Sequence, residues 1–169
     1  MPNLNYCFLL LMLIASLSTS AWAKPQHGDR FGDWMIQCAE PKDDKKNICH
    51  ISQNLTYKQD GKQLLNMAIG ALANTGKDVL IVTLRLGIFL PSGVQVQVDS
   101  GDPKAYPIQW CLANGCHAYI ELTTELLAML KKGNQGKITF QDASRKNITV
   151  PVSLKGFTKA YYSMKQLAN

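Results

Sequence analysis

Apolar and polar residues alternate with a period of two along most of this chain, the pattern of strands that bury one face. Val94, Val96 and Val98, separated by Gln95 and Gln97, form the cleanest such run. Trp34, Ile36 and Cys38 share one strand face, and Cys49, Ile51 and Leu55 share another within Ile48–Thr56, with Gln53 as the polar exception. Tyr106, Ile108, Trp110 and Leu112 alternate as one further strand. Later, Ile138 and Phe140 point inward from Lys137–Gln141, and Ile148, Val150, Val152 and Leu154 from Ile148–Leu154. Pro151 has no amide hydrogen to donate, so its strand belongs at an edge or a bulge. Leu64–Leu72 and Val79–Leu86 are apolar on both faces. Runs of that kind predict central strands covered on both sides.

Helical spacing occurs twice. Thr123 is an N-cap candidate, Glu125 suits a first turn, Lys131 and Lys132 a last turn, and Gly133 a stop. Leu126, Leu127 and Leu130 would form the buried stripe of that helix. After Gly156, Phe157, Tyr161 and Met164 predict a short C-terminal helix. Between Gly87 and Pro91-Ser92-Gly93 lies a hydrophobic loop, Ile88-Phe89-Leu90, expected to fold over one end of the molecule. About eight short strands, one inserted helix and a terminal helix point to an all-β fold, an immunoglobulin-like antiparallel β-sandwich. The strand spacing also suits a small barrel.

Five cysteines are present. Cys7 lies in an apolar leader, and Cys38, Cys49, Cys111 and Cys116 follow it. Residues 1–23 hold no Asp, Glu, Lys or Arg, contain the apolar run Phe8–Ala15, and end in Ala21-Trp22-Ala23, a small-x-small cleavage pattern. The reading is a signal peptide over 1–23, a polar stretch without fixed structure over 24–30, and one sandwich domain over 31–169. The apolar run is too short to span a bilayer, so no transmembrane segment is expected after cleavage. An even number of cysteines in an exported chain predicts disulfides, and spacing favours Cys38 with Cys49 and Cys111 with Cys116. His50 and His117 directly follow Cys49 and Cys116, which raises a metal site as a competitor. Adjacent residues of a strand point to opposite faces, so neither Cys-His dipeptide aims both side chains at one ion. Asn114-Gly115 alone suggests a two-residue type I′ turn, which would misalign Cys111 and Cys116. A four-residue loop with Gly115 in the left-handed conformation faces the two cysteines and sets Trp110 opposite His117.

The formal charge is +6. It is lopsided: Lys131, Lys132, Lys137, Arg145, Lys146, Lys155, Lys159 and Lys165 are offset in the C-terminal third by Asp142 alone. This basic C-terminal third could draw the protein to an anionic surface, or simply present solvated lysines on outward faces. No nucleic-acid motif is present, and no nucleic-acid partner is expected.

The chain lacks a Gly-x-Ser-x-Gly elbow, a His-Glu-x-x-His motif and a phosphate-binding glycine loop. No catalytic residue, cofactor or metal ligand is assigned, and the protein is not expected to be an enzyme. His27 falls in the polar start, and His50 is expected to face solvent. One constellation remains: Trp110, His117, Tyr119 and Glu121 on one hairpin face, a candidate binding patch. Its competing readings are a plain solvated surface and a hydrolase site built on His117 and Glu121.

The order of motifs resembles the invasion-associated locus B (IalB) family of exported bacterial proteins. The carrying residues are Gly32-Asp33-Trp34 with Cys38 and Cys49, Leu86-Gly87, Leu90-Pro91 with Gly93, and Val98-Asp99. They continue through Cys111, Gly115-Cys116, the leucines at Leu126–Leu130, Thr139-Phe140-Gln141-Asp142 and Val152-Ser153-Leu154-Lys155-Gly156-Phe157. Arg85 stands where the family pattern has proline. The resemblance implies an immunoglobulin-like sandwich, export to the periplasm or outer surface, and an association with host-cell invasion. It supplies no active site. The expected function is binding to an unknown protein, glycan or envelope component, with periplasmic envelope maintenance as the alternative.

Overall fold

The computed structural model describes residues 24–39, 48–59, 61–72 and 75–168. The leader and its cleavage site at 1–23 lie outside the described residues, as does the charged loop around Asp43–Lys46. In chain order the strands are Arg30–Phe31 (β1), Trp34–Ala39 (β2), Ile48–Thr56 (β3), Gln63–Ala71 (β4), Asp78–Leu84 (β5) and Val94–Val98 (β6). Lys104–Tyr106 (β7), Trp110–Leu112 (β8), Gly115–Glu121 (β9), Gln135–Gln141 (β10) and Asn147–Ser153 (β11) follow. Helix α1 spans Thr124–Lys132 and helix α2 spans Phe157–Ala168.

The strands form a seven-stranded sheet ordered β1-β2-β3-β4-β5-β9-β8 and a four-stranded sheet ordered β11-β10-β6-β7. Neighbours pair antiparallel throughout. This is the antiparallel β-sandwich that the alternation predicts. Its interior is made by the inward parity of both sheets: Ile36, Ile51, Leu65, Ile69, Leu80 and Leu84 from the larger, Val94, Val96, Ile138, Phe140, Val150 and Val152 from the smaller. Each such side chain withdrawn from water stabilises the fold by about 1.5–3 kcal/mol. Pro151 sits on β11, an edge strand, where its missing donor does no harm.

The helices close the open parts of this interior. Thr123 caps α1 by accepting the Leu126 N–H at 3.2 Å, and Leu126 and Leu130 are buried as predicted. Phe157, Tyr161 and Met164 of α2 are buried, and the Phe157 ring meets Trp34 edge-to-face at 5.1 Å. The Tyr161 hydroxyl donates to Asp78 at the start of β5, and Lys165 pairs with the same carboxylate at 3.0 Å. Burial first, then Asp78, pushes the Tyr161 phenol well above its ordinary pKa. Gly32 and Gly156 lie where two turns touch: a Cβ on either would strike the backbone of the other turn. That contact gives a physical reason for glycine at both positions.

Gln53, the polar exception, joins the two sheets. Its Nε2 donates to the Ser153 carbonyl at 3.0 Å, and its Oε1 accepts the Ser153 N–H at 3.1 Å. Trp34 Nε1 donates to that same carbonyl at 3.0 Å. A side-chain amide thus stands in for a neighbouring strand and occupies part of the exposed edge of β11.

Several expectations need correction. Residues 24–30 are not without structure: Gly28 N–H donates to Ile36 O, Ile36 N–H to Asp29 O, and Cys38 N–H to His27 Nδ1 at 3.0 Å. These bonds satisfy backbone groups that β2 would otherwise expose beyond the short β1. The alternating run Tyr106–Leu112 is not one strand, because the chain leaves the smaller sheet after Tyr106 and joins the larger at Trp110. Pro107 ends the first segment, and the Gln109 side chain bridges the gap. Its Oε1 accepts the Tyr119 N–H at 2.7 Å and its Nε2 donates to Tyr119 O at 3.0 Å. Strands β4 and β5 are central, yet they are covered on one side only. Leu65, Met67, Ile69, Leu80, Val82 and Leu84 face the core, while Ala68, Gly70 and Ile81 on the other side remain partly open to solvent.

Candidate functional site

The open outer face of the seven-stranded sheet carries the predicted patch. At its β8–β9 flank both cysteine pairings of the molecule find their counterpart: Cys111 faces Cys116 in register, just as Cys38 faces Cys49 across β2 and β3, and both pairs are bonded. Leu112 pairs with Gly115, so the hairpin turn is Ala113-Asn114 rather than a four-residue loop. Gly115 takes φ +138°, which allows the strand to resume one residue earlier than expected.

Trp110 faces His117 across the hairpin as predicted. Their rings stack with centroids 5.5 Å apart and planes 21° apart. Trp110 keeps 41% of its surface exposed, whereas His117 keeps 8%. His117 Nδ1 lies 3.1 Å from Thr83 Oγ1 and Nε2 lies 3.3 Å from Asn114 Oδ1, so both ring nitrogens are engaged. Tyr119 lies opposite Ile81 and Glu121 opposite Val79 on the same face. Glu121 is exposed and pairs with Lys77 at 3.0 Å. His117 and Glu121 stand four positions apart on the strand, about 13 Å at the usual rise. That distance is beyond the reach of a direct acid–base couple. The arrangement offers an aromatic platform on a fixed imidazole, with a separate ion pair further along.

Beyond β9 the face becomes apolar. Ile48, Ala68, Gly70, Leu72, Val79 and Ile81 line a shallow groove of about 240 Å³. Gly70 is part of this lining, and a Cβ there would stand 2.9 Å from the His50 Cβ. Because Val79 and Ile81 pair directly with Glu121 and Tyr119, the groove and the predicted patch are parts of one surface. The signal for this groove was present in the sequence as apolar residues on both faces of β4 and β5. Taken as two-sided cover, it pointed away from the surface it makes.

His50 borders the groove and does not simply face solvent. Its Nε2 lies 3.0 Å from Gln37 Oε1, which also accepts from Ser52 Oγ at 3.0 Å. Burial first, and then the neighbouring His27, hold His50 below the ordinary imidazole pKa. The outer face of the four-stranded sheet is of another kind. Thr139 and Thr149 hydroxyls meet at 2.9 Å and Gln141 donates to Asn147 at 3.1 Å, making polar cross-strand pairs. A wider cleft of about 600 Å³ opens between the sheets, bordered by Arg30, Asp33, Asn54, Thr56, Asn134 and Gln135. The hydrophobic loop folds onto the β10–β11 turn: Ile88 bridges Asp142, and the Arg145 guanidinium sits 4.8 Å above the Phe89 ring. Among the described residues, no helix is long and apolar enough to cross a membrane.

Comparison with known proteins agrees with this architecture. No curated protein matches the chain. The crystal structure of invasion associated protein B from Bartonella henselae superposes with a TM-score of 0.71 at 24% sequence identity, covering 82% of this chain and 95% of that one. The sequence profile of the family described as invasion associated locus B (IalB) protein matches residues 34–165. That span runs from Trp34 at the start of β2 to Lys165 on α2 and takes in both bonded hairpins, so the chain belongs to the IalB family.

Proposed function

We propose that this chain is an exported, disulfide-stapled protein that contributes to host-cell invasion by binding a macromolecule, without catalysis, on the open face of its larger sheet. The observation that carries this reading is the contrast between the outer faces of the two sheets. The smaller sheet presents paired hydroxyls and amides, as a solvated surface does. The larger presents Ala68, Gly70, Leu72 and Ile81, all partly exposed, beside the Trp110–His117 stack. Apolar surface of this kind, rimmed by polar groups, suits a protein partner. Family membership supports the link to invasion, and two bonded cysteine pairs suit an oxidising compartment outside the cytoplasm. The engaged nitrogens of His117 and its separation from Glu121 favour binding over hydrolysis.

The test pairs location with surface chemistry. Fractionation of the producing cell, with protease added from outside, should find the protein accessible. Purified Ile81→Lys and Ala68→Glu variants should keep the parent melting temperature yet lose most binding to host cells. Protection from protease, with undiminished binding by both variants, would overturn the proposal. The second reading is an envelope-maintenance role inside the periplasm, with an envelope glycan held in the cleft bordered by Arg30, Asp33, Asn54 and Asn134. The polar lining of that cleft favours it.

A further inference from the structure

Three segments meet at the corner where β5 ends. Leu84 is the last residue of β5 and pairs with Cys116, so the chain beyond it, Arg85-Leu86, runs alongside the tip of the β8–β9 hairpin. Gly87 O then accepts the Ala143 N–H, and Phe89 N–H donates to Gln141 O, which lays 87–89 against the β10–β11 turn. Three large apolar side chains are left outside at this corner: Leu86 is 51% exposed, Leu90 48% and Leu112 59%. The same segments carry Arg85, next to Leu86, and Arg145-Lys146 in the β10–β11 turn. The one carboxylate of the turn, Asp142, is turned inward on the backbone, its Oδ1 accepting the Ser144 N–H at 2.8 Å and the Lys146 N–H at 3.0 Å. Arg85 lies over the Tyr57 ring of the β3–β4 turn, and Arg145 lies over Phe89 at the corner itself.

We infer that this corner docks on the anionic face of a lipid bilayer, with Leu86, Leu90 and Leu112 entering the interface and Arg85, Arg145 and Lys146 meeting lipid phosphates. Charge complementarity selects this occupant. Three cations beside one internally satisfied acid repel a second copy of the same corner, while an anionic lipid surface attracts each cation by about fivefold in affinity. Apolar insertion and basic attraction together supply the two signals that stable peripheral binding needs. The site is separate from the open sheet face, and the inference does not depend on the function proposed for that face.

The experiment is co-sedimentation of the folded, disulfide-bonded protein with vesicles of phosphatidylglycerol and phosphatidylcholine, against vesicles of phosphatidylcholine alone. Binding should require the anionic lipid and fall steeply as salt rises from about 50 to about 500 mM. Leu86→Ser with Leu90→Ser should weaken it tenfold or more, and Arg145→Ser with Lys146→Ser about 25-fold. Lys131→Ser with Lys159→Ser, on the helices, should leave it within about twofold. Equal binding to both vesicle types, absence of binding, or loss only in the helix variant would overturn the inference. So would a dimer in lipid-free solution that the Leu86→Ser and Leu90→Ser changes dissociate, since that assigns the corner to a second copy.

Discussion

Two hairpins on opposite flanks of the seven-stranded sheet are built on one pattern. Gln37-Cys38 faces Cys49-His50 across β2 and β3, and Trp110-Cys111 faces Cys116-His117 across β8 and β9. In each, the cysteines are bonded at directly opposed positions and the histidine stands on the outer face of the sheet. The histidines nevertheless have different surroundings. His50 meets an amide oxygen and a second histidine, His27, which the N-terminal stretch brings across β2. His117 is covered by an indole and held by Thr83 and Asn114. Local pattern sets register and sulfur pairing, while the residue opposite the histidine decides whether the site is polar or aromatic. One flank thereby carries an imidazole whose charged form is disfavoured by burial, and the other carries a stacked aromatic platform.

Breaking the sulfur links separates the hairpins first. Replacing Cys38 and Cys49 together with Ala should lower unfolding free energy by about 3 kcal/mol, because that bond closes the longer loop. Removing Cys111 and Cys116 in the same way should lower it by about 2 kcal/mol. Denaturant titration of the two double variants checks both values, and an inverted order would mean that loop length does not govern these bonds. Trp110→Ala removes a ring stack from a partly exposed site and should lower stability by about 1 kcal/mol. Gln37→Ala at the matching position should cost no more than that.

The finest distinction is acid response. Since the folded His50 pKa is depressed, the unfolded chain binds this proton more readily. Stability from this group is therefore complete above the unfolded value of about 6.5 and is lost as pH falls from there through the folded pKa. Melting temperature should drop across that window in the parent protein, and His50→Gln should flatten the drop. A parent protein with no decline below pH 6.5, or a His50→Gln variant with an equally steep one, would remove His50 as the source.

Gln53 and the apolar strands show how much of the site could be read in advance. The period-two pattern placed β2, β3, β6, β10 and β11, and it gave the inward set almost residue by residue. Gln53 was visible only as an anomaly, because its partner, the Ser153 backbone, lies a hundred residues away in the other sheet. Strands β4 and β5 were legible as central, but alternation cannot tell a second covering layer from an open apolar face. Both situations ask for apolar residues on two faces.

What this sequence determined by itself was local: strand parity, the cap of α1, the stripe of α2 and the facing of each cysteine pair. These follow from side-chain direction, which repeats over a few residues. The tertiary structure alone decided where the chain changes sheets, that residues 24–30 lie along β2, and which face of the larger sheet stays open. Those outcomes depend on contacts between segments far apart in sequence, where satisfying backbone hydrogen bonds at strand edges competes with covering apolar area. Neither demand leaves a mark on any short stretch of the chain.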